Sequence, residues 1–288
     1  MKRQGVDLRR LAPDRKSFRK LIKGLTERRL SGSSSGELVL EIGKFFLGAP
    51  YRVNLLETKG TEHLMINLRA FDCVTFVETV VALARSVKLR QDSFEAFKRS
   101  LQKIRYREGR LQGYASRLHY FSDWIYDNQK KGVVRDITAE LGGRPRRKTL
   151  AFMTTHPDLY PRLRSKSSLR KVKAIEREIS RQPHFFIPKE AVRRLEDRIR
   201  EGDLIAVTTD AEGLDVLHVG FAARVRNRIH LLNASSAEGK VVLSTETLYR
   251  YLMQRRTRSG IMVARMWAAR LGKGEGEDSN GRMAVDFS

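Results

Sequence analysis

The stretch AFDCVTFVET, residues 70–79, holds the single cysteine of a 288-residue chain, Cys73. Asp72 before it is a good helix N-cap, because its carboxylate can accept from the unpaired N–H groups of a first helical turn. The residues that follow include Val74, Phe76, Val77, Val80, Val81 and Leu83. A segment apolar nearly all round predicts a buried helix that begins at Cys73. A thiol at that position feels the positive end of the helix dipole and nearby amide donors. Both favour the thiolate, and the same amides can hold an oxyanion. A buried structural cysteine is the plainer alternative, and position alone does not separate the two.

Moving outward, 41% of the residues are apolar, enough to supply a packed core in one large domain or two small ones. One cysteine excludes an internal disulfide and a multi-cysteine metal site. No stretch approaches the roughly 20 apolar residues of a membrane span, and the basic N-terminus lacks the apolar segment of a signal peptide. The net charge of +24 is concentrated before residue 36 and again through 144–200, in RPRRK, RLRSK and LRKVK. These pairs and triplets lie on helix-like segments without interleaved aromatics, so they read as solvated faces and no nucleic acid is expected as partner. An anionic-polymer partner stays open.

Residues 1–36 read as a basic arm, helical or disordered, that ends in the Ser/Gly linker SGSSSG. A single domain is expected over 37–270, followed by a disordered glycine-rich tail, 271–288. Residues 38–130 read as mainly helical, and 131–200 as mixed. From 202 the period changes: GDLIAVTTD, LDVLHVGFAARV and NRIHLLNASS are β-rich runs that predict an antiparallel sheet. A helix bearing the cysteine and a late sheet define an α+β fold.

A thiol hydrolase also needs a base and a group that orients it. Alternation along DVLHVGFA puts Val216, His218, Gly220 and Ala222 on one face, and Leu217, Val219, Phe221 and Ala223 on a core face. A four-residue loop at 224–227 would pair 223 with 228 and 221 with 230. His218 would then stand directly opposite Asn233, whose carbonyl oxygen can accept from one imidazole nitrogen. A one-residue slip would destroy this pairing. The chain order Cys73, His218, Asn233 is that of papain-like proteases. Helix cap, strand face and cross-strand partner agree on a catalytic thiol.

These residues carry a resemblance. FDCVTFVE, HVGFA and the NASS strand resemble the NlpC-type papain-like superfamily of bacterial cell-wall hydrolases. The longer series GAPYRVNLLE, LRAFDCVTFVET, YASRLHYFSDWI, IPKE, EGDLIAVTT, LDVLHVGFA and HLLNASS, over roughly residues 37–265, resembles its N-acetylmuramoyl-L-alanine amidase-like branch. The resemblance implies a papain-like cysteine hydrolase fold with extra helical insertions. It implies hydrolysis of the amide between N-acetylmuramic acid and L-alanine, with peptidoglycan fragments (1,6-anhydro-muropeptides) as substrates and neither metal nor cofactor. Cys73 would be the nucleophile and His218 the base, while Asn233 stands where many relatives carry a second His. Tyr51 matches a tyrosine able to donate to the oxyanion, with an aromatic packing role as the alternative. Arg117, His119 and Tyr120 match a segment distinctive of the branch and suit a muropeptide: Arg for a carboxylate, His for a polar contact and Tyr for stacking on a sugar. Asp72 is a cap first and a possible polar contact second, and Ser235 and Ser236 either line the cleft or close a turn.

The family implies action in the cell envelope or periplasm, whereas the visible N-terminus fits a cytoplasmic protein equally. Two other functions stay open. One is an endopeptidase that cuts the stem peptide at the D-glutamyl bond; the other is a basic polymer-binding protein with an inactive thiol site.

Overall fold

A computed structural model describes residues 11–57 and 60–267. Helices α1 (Ala12–Glu27), α2 (Ser35–Phe45), α3 (Cys73–Lys88), α4 (Phe94–Arg105) and α5 (Phe121–Lys130) come first. Then follow β1 (Val134–Asp136), β2 (Arg144–Arg146), α6 (Phe152–Thr155), α7 (Lys166–Arg181), β3 (His184–Pro188) and α8 (Lys189–Leu195). The chain continues through β4 (Leu204–Thr209), β5 (Val216–Val225), β6 (Arg228–Ser235), β7 (Lys240–Thr247), α9 (Leu248–Met253) and β8 (Arg258–Met266). The fold is α+β, as expected. Its strands run in the order β2-β3-β8-β4-β5-β6-β7, with β1 also on β8, and every pairing is antiparallel. Among the described residues between α2 and α3 there is no helix, so the helical reading of 38–130 does not hold over 46–57 and 60–72.

Both sheet faces carry core. Val219, Phe221, Ala223, Leu232 and Met262 pack with Leu38, Ile42, Phe76, Val77 and Val80 of α2 and α3. Ala222, Leu231, Ile205, Val207 and Ile261 pack with Val192, Leu248 and Leu252 of α8 and α9 on the reverse face. A sheet covered on both faces fixes the lateral position of each strand, and with it the side chains at the strand ends. The expected core face is met at Val219, Phe221 and Ala223, but Leu217 is largely exposed and Val216 packs against the α2/α3 cluster. A bulge explains the break: Val207 pairs with His218, whereas Thr208 pairs with Val216.

Of the arm expected to be helical or disordered, the described part is helical and packs on the main core. Residues 12–27 form α1, whose Phe18, Leu21 and Leu25 are buried in the main core. Their i, i+3, i+7 spacing makes one apolar stripe. Phe18 packs edge-on to Phe94, with ring centroids 5.4 Å apart. The run SGSSSG closes a short 3-10 turn and starts α2: Ser34 accepts from the Glu37 N–H, and Glu37 accepts from the Ser34 N–H. This reciprocal capping box turns a linker-like composition into a helix start. The tail 271–288 lies outside the described residues.

Candidate active site

Cys73 is the first residue of α3. Asp72 caps it, with Oδ1 accepting from the Thr75 N–H at 2.7 Å and the Asp72 N–H donating to Thr75 Oγ1 at 2.9 Å. The helix start is anchored from behind by Phe76, which lies edge-on to Phe71 and to Phe221 of β5. The N–H groups of Val219, Val74 and Cys73 itself favour the thiolate, as the helix position predicts. They do not prevail. The thiol is only partly covered by surface area, yet the protein around it and the charge of Asp72 push it up to about 12. The expectation of a lowered cysteine pKa is therefore corrected: desolvation outweighs the helix dipole here.

His218 sits on β5, and its Nε2 lies 2.9 Å from Asn233 Oδ1. The amide of Asn233 is oriented by its own Nδ2, which donates to the Leu231 carbonyl at 3.2 Å. Its oxygen must then face the ring, so Nε2 carries the proton and Nδ1 keeps the lone pair of a base. Burial and the nearby charge of Arg258 lower the His218 pKa, against the opposing effect of the Asn233 bond. Both shifts, the thiol up and the imidazole down, disfavour a preformed imidazolium–thiolate pair.

The sequence joined the correct residues through an incorrect register. Val225 pairs with Arg228 and Phe221 with Leu232, a shift of two positions from the expected pairing. The reason is the turn: Arg226 and Asn227 both adopt positive φ, 46° and 62°, so the hairpin closes in two residues instead of four. A shift of two preserves the face, and Asn233 becomes a diagonal neighbour of His218. Gly220 makes that diagonal possible. A Cβ on it would lie 2.9 Å from Asn233 Cβ and 2.9 Å from the Leu232 carbonyl oxygen.

The remaining expected site residues divide. Tyr51 bridges to Phe71, and its hydroxyl is raised to about 12 by burial, then by the charges of Cys73 and Asp72. Its hydroxyl thus lies within the field of the thiol. Arg117, by contrast, is buried, donates to the Leu56 carbonyl at 2.6 Å, and pairs with Glu57 and with Glu62 at 3.3 Å. Tyr120 is buried, donating to Glu176 at 2.7 Å and accepting from the Met153 N–H at 3.1 Å. The expectation that these two face a ligand is corrected, since buried polar groups already satisfied inside have nothing to offer outside. His119 donates to the Tyr114 carbonyl at 2.9 Å, and burial with Arg117 nearby holds its pKa down at about 3. Ser235 accepts from the Glu238 N–H at 3.2 Å, which closes the β6–β7 turn, and Ser236 is exposed beside it.

Two residues were missed. The Tyr251 ring lies 6.1 Å from the His218 ring, and Arg258 stacks on Tyr251 with 3.6 Å from guanidinium carbon to ring centroid. The thiol's charge also reaches the Tyr251 hydroxyl, so Tyr251 borders both halves of the site. In TLYRYLMQRRTRSG only the Thr247 cap and the short helix are readable. Their position beside His218 follows from β8 lying next to β4, which no local pattern states. Three concavities of 510 to 690 Å³ are lined by other residues.

A helix-start thiol, an imidazole with a fixed tautomer and two bordering tyrosines can carry nucleophilic hydrolysis of an acyl bond. The class is thus an α+β hydrolase. The chain belongs to the N-acetylmuramoyl-L-alanine amidase-like (AmiA-like) family, whose model matches residues 41–261. It is similar to a crystal structure of an N-acetylmuramoyl-L-alanine amidase from Bacteroides uniformis, with 39% identity and a TM-score of 0.77, over 81% of this chain and 98% of that one. A Bacteroides fragilis structure described as a putative xylanase matches at 39% identity and TM-score 0.75, over 79% and 100%. A Legionella pneumophila protein matches at 25% identity and TM-score 0.67, over 88% and 95%. No curated protein matches at a significant level. Among the described residues no helix is long and apolar enough to cross a membrane.

Proposed function

We propose that the chain is a cysteine-dependent, papain-like N-acetylmuramoyl-L-alanine amidase. It cleaves the amide between the lactyl group of N-acetylmuramic acid, in 1,6-anhydro-muropeptides, and L-alanine. The observation that carries this reading is the 2.9 Å bond from His218 Nε2 to an Asn233 amide that is itself held, because it leaves Nδ1 as the base. Cys73 Sγ attacks the lactyl carbonyl carbon as Nδ1 takes its proton, so the thiolate forms only in step with attack. The oxyanion accepts from the Cys73 N–H and the Tyr51 hydroxyl. The imidazolium returns the proton to the L-alanine nitrogen, the C–N bond breaks and a thioester remains. His218 then deprotonates a water that hydrolyses the thioester, which frees the lactyl carboxylate and the thiol. The family points to the cell envelope or periplasm as the place of the reaction, with the cytoplasm as the alternative.

Wild type and Cys73→Ala should be incubated with an anhydro-muropeptide and the products identified by mass. Wild type is expected to yield a sugar free of peptide and an intact stem peptide, whereas Cys73→Ala should yield neither while keeping its melting temperature. A sugar that retains L-alanine would move the cut into the stem, and full activity in Cys73→Ala would remove the thiol from the mechanism.

A further inference from the structure

Arg258 has features that the hydrolytic steps leave unused. Its guanidinium is half-buried, stacks on Tyr251 at 3.6 Å and donates one N–H to the Tyr251 carbonyl. Among the described residues it has no carboxylate partner within 4.0 Å, the limit within which the other ion pairs of the molecule fall. The acid whose field reaches it, Glu246, is held by Gln254 at 2.5 and 2.6 Å. Arg255 in the same turn adds a second, exposed cation. An arginine has five donors in a rigid fork shaped for a carboxylate, and here nearly all of that fork is unspent.

Its place relative to the reacting groups sets what it could read. The charge of Arg258 acts on His218, while the charge beside Cys73 and Tyr51 is that of Asp72. Arg258 stacks on the Tyr251 ring, which lies 6.1 Å from the His218 ring, so the positive charge stands on the imidazole side, and Asp72, one residue before Cys73, stands on the thiol side. The base that protonates a departing nitrogen must stand on the leaving-group side of the scissile bond. A cation beside that base is on the side of the departing peptide, and Asp72 disfavours a carboxylate placed the other way round.

We propose that Arg258, presented by its stacking on Tyr251, is a subsite for a free carboxylate of the departing stem peptide and makes the enzyme selective for acidic over amidated stems. This rests on the amidase reading above, and its test separates the two. The anhydro-muramoyl form of L-alanyl-D-glutamate is compared with the same compound whose two carboxylates are converted to amides. Wild type should show kcat/KM about 10- to 100-fold higher on the acid, as expected for one charge-assisted bidentate contact. In Arg258→Gln this ratio should collapse toward 1, and Arg258→Lys should retain part of it. Because the ratio is taken within one variant, a general loss of fold or activity cancels. An equal loss on both compounds, or no discrimination by wild type, would overturn the subsite. Should wild type cleave neither compound, the amidase reading fails, and binding of L-alanyl-D-glutamate against its diamide to Cys73→Ala by calorimetry decides the subsite alone. A preference that Arg258→Gln abolishes supports it, and equal affinities reject it.

Discussion

At the scale of single residues, Asn233 determines which nitrogen of His218 keeps its lone pair. It does so through two contacts, one to the ring and one to the Leu231 carbonyl. Asn233→Ala should lower kcat on the order of 100-fold by releasing the tautomer, with a smaller change in KM, whereas Asn233→His keeps an acceptor and should retain more activity. The raised thiol leads to a separate expectation. Thiolate is the species that reacts with iodoacetamide, and its fraction rises tenfold per pH unit below the pKa. With the thiol near 12, alkylation of Cys73 should climb steadily from pH 7 to beyond 10 in the free protein. A plateau that begins below pH 7 would instead reveal a preformed ion pair. The sign for His218 runs the other way: burial lowers its pKa, so the base form persists on mild acidification and the acid limb of kcat/KM should lie below pH 6.5.

At the scale of elements, what could be read in the sequence followed from local rules, and what could not depended on distant partners. Asp72, Cys73 and the apolar face of α3 were legible because a cap and a helical period are local. His218 and Asn233 were legible because strand alternation survives a shift of two. The turn itself was not, since Arg226 is an unfavourable residue for positive φ and disguises a two-residue hairpin. Arg117 and Tyr120 were misread because Glu57, Glu62 and Glu176, which neutralise or accept from them, lie more than fifty positions away. Two substitutions test this layer. Asp72→Ala removes the acceptor of the Thr75 N–H and should cost about 1 kcal/mol, read as a lower melting temperature, with reduced activity from a frayed helix start. Gly220→Ala adds a Cβ where backbone and Asn233 leave no room, so activity should fall more than stability as Asn233 is driven off the imidazole.

At the scale of the whole molecule, the charge of +24 obscures how much of the chain is structural. The basic composition before residue 36 suggests a dispensable arm, yet α1 is basic only on its outer side. Inward it places Phe18 against Phe94 and Phe97, and Leu21 and Leu25 in the same cluster. Buried Asp14 accepts from the Leu68 N–H at 2.9 Å and so ties the helix to the irregular segment that leads into Asp72. Burying three such apolar side chains contributes about 5–8 kcal/mol as an upper figure, comparable with the whole net stability of a typical domain. Deletion of residues 1–33 should therefore leave a protein that aggregates or melts far below the full chain in calorimetry, and raising the salt concentration should not restore it. An electrostatic arm would behave differently: its removal would leave the melting temperature in place and change only salt-dependent binding. Phe18→Ala in the full chain isolates the packing contribution, with an expected loss of about 3–5 kcal/mol and no change in charge. If Phe18→Ala melts like wild type, α1 is bound to the domain by charge alone, and the core assigned to it here is wrong.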